Sequence, residues 1–77
     1  MFDTNPFRRA VGRRVIVHIV GGDTWRGILS MYRDRWITLT HVEYVDEHGA
    51  MGADGSVMLP ESGIEWLQVT DGEEEVS

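Results

Sequence analysis

The chain has 77 residues. A domain of this size buries only about 60% of the surface that its unfolded chain exposes, so pairing with further copies would add stabilising core. The sequence contains no cysteine, which excludes disulfides and thiolate metal sites, and no apolar run near the roughly 20 residues of a membrane-spanning helix. The amino-terminal residues lack the basic start and apolar run of a signal peptide, so we expect a cytoplasmic protein.

The charge is divided unevenly along the chain. The net charge is −6, yet all seven basic residues are arginines within residues 1–41, and all but three of the thirteen acidic residues lie in residues 42–77. Such a chain can pair head to tail with its own copies, present its arginines locally to a polyanion, or simply carry solvated surface charge. The lack of lysine indicates GC-rich coding DNA, as in an actinobacterium or its phage.

The first predicted element is a short helix, and every later element has the two-residue period of strands. Asn5 and Pro6 predict the N-cap and first position of a helix of one to two turns, which Gly12 ends. β-branched residues fill the first strand, and a Gly-Gly-Asp turn predicts a hairpin to the second. The predicted strands are residues 15–20, 24–32, 36–46, 55–59 and 64–70, with turns at 21–23, 33–35 and 60–63 and a flexible loop at 47–55.

A lone glycine, Gly27, lies inside the second predicted strand. A glycine at such a position usually marks a sharp bend or the close approach of another backbone. One helical turn followed by five short strands predicts a mainly β domain over residues 1–70, with a five-stranded, strongly bent antiparallel sheet that closes into a small barrel. Residues 71–77 carry like charges and are predicted to form a disordered acidic tail.

Two stretches of the chain match the two motifs of one known family. The first reads Gly12-x-x-Val15-x-Val17-x-Ile19, Gly22, Trp25-Arg26-Gly27-x-Leu29 and Asp34, and the second is VMLPESGIEWLQV with Ile64 and Leu67. Over residues 5–70 the sequence thereby resembles the Sm-like proteins, which include eukaryotic Sm and LSm proteins and bacterial Hfq. The resemblance implies an N-terminal helix followed by a five-stranded bent barrel, related in shape to SH3-like barrels.

The resemblance also implies a ring of identical subunits. In the family, the fourth strand of one subunit adds to the fifth strand of the next, and the ring closes at about six or seven copies. The matching edges in this chain are Val57, Met58 and Leu59 in the fourth strand and Leu67, Gln68 and Val69 in the fifth. Two apolar edges left unpaired would promote aggregation, so pairing is expected. The alternative is an SH3-like monomer whose edges are covered internally.

The family's RNA pocket is only partly matched. It uses an aromatic or histidine two residues after the motif aspartate, an asparagine four residues after it, and an arginine-glycine pair in the second motif. Trp36 stands at the stacking position, Thr38 replaces the asparagine, and Pro60-Glu61 replaces the arginine-glycine pair. The match needs one extra residue in the Arg33 turn. Without that residue, Trp36 would move out of the pocket and into the core phase.

Two functions follow from these observations. The first is a non-catalytic, ring-forming Sm-like module that acts through protein–protein contacts, such as a phage product acting on a host partner, with the RNA pocket largely lost. The alternative is a single-stranded RNA-binding protein that uses Trp36 and the exposed face of four clustered arginines. We call these the arginine group: Arg8, Arg9, Arg13 and Arg14. No enzyme, cofactor or metal site is predicted, because the three histidines lie on different elements without ligand spacing.

Overall fold

The computed structural model describes residues 5–70. Within these residues the chain forms one short helix and six strands, with a 3-10 turn between the last two. The elements are α1 (Pro6–Arg9), β1 (Arg14–Ile19), β2 (Thr24–Arg33), β3 (Trp36–Asp46), β4 (Gly49–Gly52), β5 (Val57–Pro60), the 3-10 turn (Glu61–Gly63) and β6 (Ile64–Val69). The predicted tail at residues 71–77 lies outside the described residues.

All strand pairs are antiparallel and belong to one sheet. The strand order is β4-β3-β2-β1-β6, and β5 pairs with the first half of β3 on the edge whose second half pairs with β4. The helix precedes β1. At the N-terminus of the helix, Asn5 Oδ1 accepts a hydrogen bond from the Phe7 N–H at 2.8 Å and so caps α1. The predicted architecture, mainly β with a short N-terminal helix and a strongly bent antiparallel sheet, is confirmed.

One predicted loop contains a strand. The sequence predicts a flexible loop over residues 47–55, but β4 lies within it and pairs with β3. The prediction is wrong here because Glu47 and His48 form a two-residue turn that closes on the Asp46–Gly49 pair. Asp46 Oδ1 accepts a hydrogen bond from the His48 N–H at 2.8 Å, and Gly49 adopts a left-handed φ of 122°. The hydrogen bonds of this turn thus bring residues 49–52 into the ladder with β3, although most of them are small residues of low strand propensity.

The core lies on the face of the sheet to which strand alternation directs the apolar side chains. Val15 and Val17 of β1 are fully buried, as are Ile37 and Leu39 of β3, each pair two residues apart. The buried apolar residues among those described are Ala10, Val15, Val17, Leu29, Ile37, Leu39, Val42 and Leu59. Because the residues between them face outward, Trp36 and Thr38 lie on the opposite face from the core.

A bulge at Gly27 bends the β2–β3 ladder. His41 and Val42 of β3 lie opposite Gly27 alone, and His41 adopts a left-handed φ of 52°. A Cβ built on Gly27 would lie 2.7 Å from the Thr40 carbonyl oxygen, a separation that real Cβ atoms essentially never show. The glycine therefore stands where the sheet bends and where a neighbouring backbone approaches closely.

A second bulge, at Ser30, sets the phase of β3. Leu29 pairs with Leu39 and Met31 with Thr38, so Ser30 has no partner in the ladder. The turn after β2 contains only Asp34 and Arg35, both left-handed with φ of 54° and 65°. The residue that shifts the β2–β3 register is therefore Ser30, inside β2, and the turn itself has only the two residues of a tight hairpin.

Candidate binding surface

Three exposed apolar side chains from three strands meet beside the β2–β3 turn. Met31 of β2, Trp36 of β3 and Met58 of β5 are 52%, 45% and 61% exposed. Thr38 stands between the two methionines in the ladder, paired with Met31 on one side and Met58 on the other. Together with Arg33 and Asp34 they line a shallow depression. We call Met31, Trp36, Thr38 and Met58 the platform.

The platform is suited to apolar contact. Trp36 offers a flat ring, and the flanking methionines are flexible and polarisable, so the surface can adapt to an apolar side chain or stack on a flat one. Its polar side-chain groups are the indole N–H of Trp36 and the Thr38 hydroxyl, and the hydroxyl can read less of a ligand than the two-sided amide of an asparagine. The neighbouring Arg33 lies 3.7 Å from the Asp34 carboxylate, measured from Nε to Oδ2.

Glu61 is directed away from the platform, although Pro60 before it pairs with Trp36 in the ladder. Glu61 Oε1 accepts a short hydrogen bond from the Tyr32 hydroxyl, and that hydroxyl oxygen accepts another from Asn5 Nδ2 at 3.1 Å. The Phe7 ring stacks on Tyr32 at 5.7 Å, and the Arg8 guanidinium lies 5.5 Å from the Tyr32 ring centre. Glu61 therefore ties the β5–β6 connection to the helix.

This contact shifts the titration of the tyrosine. The hydrogen bond to Glu61 is the largest cause that raises the pKa of Tyr32 above its usual 10.0, and burial of the hydroxyl adds to it. The neutral phenol is the form that can donate to a carboxylate. The network therefore favours protonated Tyr32 in the folded chain.

The structure divides the arginine group between two places. Arg8 lies over Tyr32, whereas Arg14, at the start of β1, lines a separate cleft of about 470 Å³ on the outer face of the sheet. Arg26 and Glu43 also line this cleft and form an ion pair with Nη2 and Oε1 2.7 Å apart. All four members of the arginine group are exposed. The four arginines are close together in the sequence, but Arg8 and Arg9 belong to α1 and Arg14 begins β1, with a turn at Gly12 between them.

The two strands expected at a subunit interface lie at edges of the sheet. β5 pairs with β3 and β6 pairs with β1, and no other strand of residues 5–70 pairs with either. Val57 and Leu59 of β5 turn toward the core, as do Leu67 and Val69 of β6, while Met58 and Gln68 are exposed. Both predicted segments therefore present an open edge with apolar side chains.

Sequence reasoning missed Met31, because a methionine in a β-strand has no special signature. Its phase relative to Trp36 depends on the Ser30 bulge, which no local pattern marks. It also missed the aromatic contacts on the outer sheet face, where His18 stacks on Trp66 at 5.2 Å and His18 Nδ1 lies 2.9 Å from Thr24 Oγ1.

Residues 5–70 contain no group of three His, Cys, Asp or Glu side chains that could hold a metal ion. Their single helix is far too short to cross a membrane.

Comparison with known proteins identifies the fold. No family model and no curated protein matches the sequence. Among solved structures, the heptameric P. aerophilum Sm protein has 17% identity and a TM-score of 0.75, covering 90% of this chain and 96% of that one. The Pyrococcus abyssii Sm protein in complex with a uridine heptamer has 18% identity and a TM-score of 0.73, covering 86% and 99%. A chain of the NatC complex bound to CoA also has 18% identity and a TM-score of 0.73, covering 99% and 100%. The chain therefore has the Sm-like fold.

Proposed function

We propose that the protein is a non-catalytic Sm-like subunit that assembles into a homo-oligomeric ring of about six or seven copies and binds a protein partner. The two open edges support the ring, since β5 and β6 are the strands that the resemblance pairs between subunits. A heptamer among the structural neighbours also supports it. A protein partner is supported by the chain of the NatC complex, which carries the same fold within a multi-protein assembly.

The observation that carries the protein-binding role is the apolar platform. Where a uridine pocket needs an amide and a cation, this chain has Thr38, two exposed methionines and a proline that has no N–H. Glu61 stands in place of the family arginine, and its carboxylate, which accepts from Tyr32, is an anion and supplies no cation. An apolar surface of this kind fits the side chains of a protein partner better than a phosphate backbone. If the chain is phage-encoded, a host protein in the cytoplasm is the natural candidate.

Single-stranded RNA is the second candidate, and one observation favours it. Trp36 is exposed at the position where the family stacks a base, and stacking is worth about 1–3 kcal/mol per base. In each copy of a ring, this stacking is opposed by the repulsion between the RNA and a subunit whose net charge is −6. The uridine complex of the Pyrococcus abyssii neighbour makes oligouridine the appropriate probe.

The test begins with native mass spectrometry of the purified protein and the ratio of its absorbance at 260 and 280 nm. We expect a closed oligomer without co-purified nucleic acid. Proteins captured from the host by the wild type are then compared with those captured by Trp36→Ala and by Met51→Ala, which removes an exposed methionine of β4 away from the platform. A partner that is lost only with Trp36→Ala, and whose purified complex weakens little as salt rises, supports the proposal. A monomer, or tight oligouridine binding that Trp36→Ala abolishes, contradicts it.

A further inference from the structure

β4 is the end strand of the sheet, and its outer edge is open. Within residues 5–70 it pairs with β3 alone, and all of its residues, Gly49–Gly52, are exposed. The edge lacks the features that usually protect such a strand, because it has no proline, no charged side chain and no bulge in its pairing with β3. Apart from Met51 its residues are glycine or alanine, so little bulk opposes the approach of another strand.

The hydrogen bonds of β4 determine which of its main-chain groups face outward. Ala53 N–H donates to Val42 O at 2.9 Å, immediately beyond the ladder, so the Ala53 main chain is directed toward β3. The pairing of β4 with β3 has no register shift, and main-chain direction alternates along an antiparallel strand. The odd-numbered residues of β4 therefore also face β3, whereas Ala50 and Gly52 direct their N–H and C=O groups to the open edge.

The core face of the sheet continues to this edge through a row of three side chains. Trp25, Tyr44 and Met51 are paired in succession across β2, β3 and β4, so they share a face, and Trp25 is paired with the buried Val17 of β1. The rings of Trp25 and Tyr44 lie 5.3 Å apart with 69° between their planes, and Met51 is 73% exposed. We call Trp25, Tyr44 and Met51 the aromatic row.

Carboxylates surround the aromatic row. Asp23 Oδ1 accepts a hydrogen bond from the Tyr44 hydroxyl at 3.3 Å, and Asp46 follows Tyr44 by two residues on the same face of β3. The charge of Asp23 is the largest cause that raises the pKa of Tyr44 above its usual 10.0, and the charge of Asp46 adds to it. Residues 42–56 contain no arginine or lysine, and their acidic residues are Glu43, Asp46, Glu47 and Asp54. The surface beside the open edge is therefore negatively charged.

We propose that the open edge of β4 binds an extended, basic segment of a partner protein, which adds to the sheet as a further strand. Its main chain exchanges hydrogen bonds with Ala50 and Gly52, and its lysine or arginine side chains lie on the face of the aromatic row. Strand addition of this kind draws affinity from the main chain and specificity from alternate side chains. The site lies at the opposite end of β3 from the platform, so this contact is independent of the one in the proposed function.

Gly49 gives a basic side chain access to Asp46. The two residues are paired in the ladder, and a residue of the added strand opposite Gly49 would share their face. The added strand would lie about 10 Å from β3, twice the spacing of about 4.8 Å between neighbouring strands. A lysine or arginine is long enough to cross Gly49, which has no side chain, and reach the Asp46 carboxylate. Opposite Met51, the aliphatic stem of a second basic side chain can pack on the methionine and direct its charge toward the Tyr44 ring.

Charge favours a basic partner over the other chains that could cover this edge. A second copy that paired β4 with β4 would bring the carboxylates of both copies together. Residues 71–77 carry four acidic side chains, DGEEEVS, and a nucleic acid carries phosphates, so Asp46 and Asp54 would repel both. A segment with lysine or arginine at alternate positions has the opposite charge on the correct face.

The probe is an acetylated and amidated heptapeptide of alternating threonine and lysine, added to the full-length protein at about 50 mM salt. Amide hydrogen exchange followed by NMR reports on the open edge. Without peptide, the amides of Ala50 and Gly52 should exchange freely, whereas the Met51 amide, which faces β3, should exchange more slowly. We expect the peptide to slow exchange at Ala50 and Gly52 by about tenfold or more.

N-methylated peptides separate strand addition from attraction by charge alone, and they need no change to the protein. In the proposed arrangement the threonine main chain faces β4 and the lysine main chain faces away. Methyl groups on the threonine amides should therefore weaken binding at least about tenfold, whereas methyl groups on the lysine amides should weaken it less than about threefold.

Substitutions in the protein test the same contact from the other side. Ala50→Pro removes an outward N–H and keeps the bonds of β4 to β3, because proline is tolerated at a sheet edge, and it should weaken binding at least about tenfold. Ala50→Val, its matched control, keeps that N–H and should change binding by less than about threefold. Asp46→Asn retains the oxygen that accepts from the His48 N–H and should weaken binding by about threefold to tenfold. Met51→Ala leaves every main-chain group of β4 in place and should change binding by less than about threefold.

Four results would overturn the proposal. Equal binding of the two methylated peptides would show attraction by charge without an added strand. Slow exchange at Ala50 and Gly52 before peptide is added would show that this protein covers the edge itself. Equally tight binding of a peptide with glutamate in place of lysine, or no binding at about 1 mM peptide, would remove the basic partner. All four leave the platform untouched, because its partner is tested with Trp36→Ala.

Discussion

Replacing Gly27 with alanine tests the bend on which the barrel depends. The new Cβ would lie 2.7 Å from the Thr40 carbonyl oxygen, about 0.7 Å inside the 3.4 Å at which ordinary contact begins. The neighbouring atom belongs to the backbone of β3 and cannot rotate away as a flexible side chain would. The same Cβ would also stand 3.4 Å from the His41 oxygen, within the bulge. The ladder must therefore shift as a unit.

Overpacking of this kind costs about 1–3 kcal/mol, offset by about 0.5 kcal/mol because alanine restricts the unfolded chain. For a domain of this size, the net loss of about 0.5–2.5 kcal/mol corresponds to a fall in melting temperature of about 2–20 °C. Gly27→Val adds two more methyl groups and should lose more than about 1 kcal/mol. Thermal unfolding followed by circular dichroism measures the effect, at one protein concentration because the stability of an oligomer depends on it.

Gly52→Ala is the matched control. Gly52 also lies in a strand, but nothing stands within 4 Å of its Cβ position, so the melting temperature should change by less than about 3 °C. If Gly27→Ala behaves like Gly52→Ala, the β2–β3 ladder accommodates a Cβ freely. The glycine would then not be the cause of the bend.

Three further outcomes are expected. Leu67→Lys should break the ring into smaller species, because a charge would be buried at the β6 edge, whereas Met51→Lys on exposed β4 should leave the ring intact. Light scattering measures the mass of each variant, and equal masses for the two would argue against edge pairing. Fluorescence anisotropy should show oligouridine binding no tighter than about 10 μM at 150 mM salt, and any binding should disappear when the arginine group is replaced with alanine. Sub-micromolar binding that survives this change but is lost with Trp36→Ala would show that the RNA pocket is intact. Because the pKa of Tyr32 is raised in the folded chain, the unfolded chain releases the phenolic proton first as the pH rises. The free energy of unfolding should therefore fall as the pH rises above 10.0, and it should fall less steeply in Tyr32→Phe. Parallel curves of unfolding free energy against pH for the two proteins would show that the Glu61 contact does not form in solution.

Much of the fold could be predicted because its determinants are local. The run of β-branched residues indicates β1, and the capping of α1 by Asn5 depends on neighbours two and three residues away. The two-residue turn at Asp34 and Arg35 also lies within the predicted turn. The exception, β4, consists of small residues without strand propensity, and its pairing depends on a turn that only the hydrogen bonds of Asp46 and its neighbours reveal.

The candidate site could be predicted only in part, because it combines residues that are distant in sequence. Trp36 and Thr38 can be placed from the motif aspartate, yet the face they occupy depends on whether Ser30 is bulged. The hydrogen bond between Tyr32 and Glu61 spans 29 residues, and it changes the role of the carboxylate from a group near the ligand to an anchor of the helix. No pattern in the sequence brings these two side chains together.

The sequence by itself determined the order of helix and strands, the glycine at the bend and the two apolar edges, since strand period, glycine geometry and edge chemistry act over a few neighbouring residues. Only the tertiary structure decided that Met31, Trp36 and Met58 share one exposed surface. This result depends on the register between strands, and one bulged residue inverts the face of every side chain that follows it.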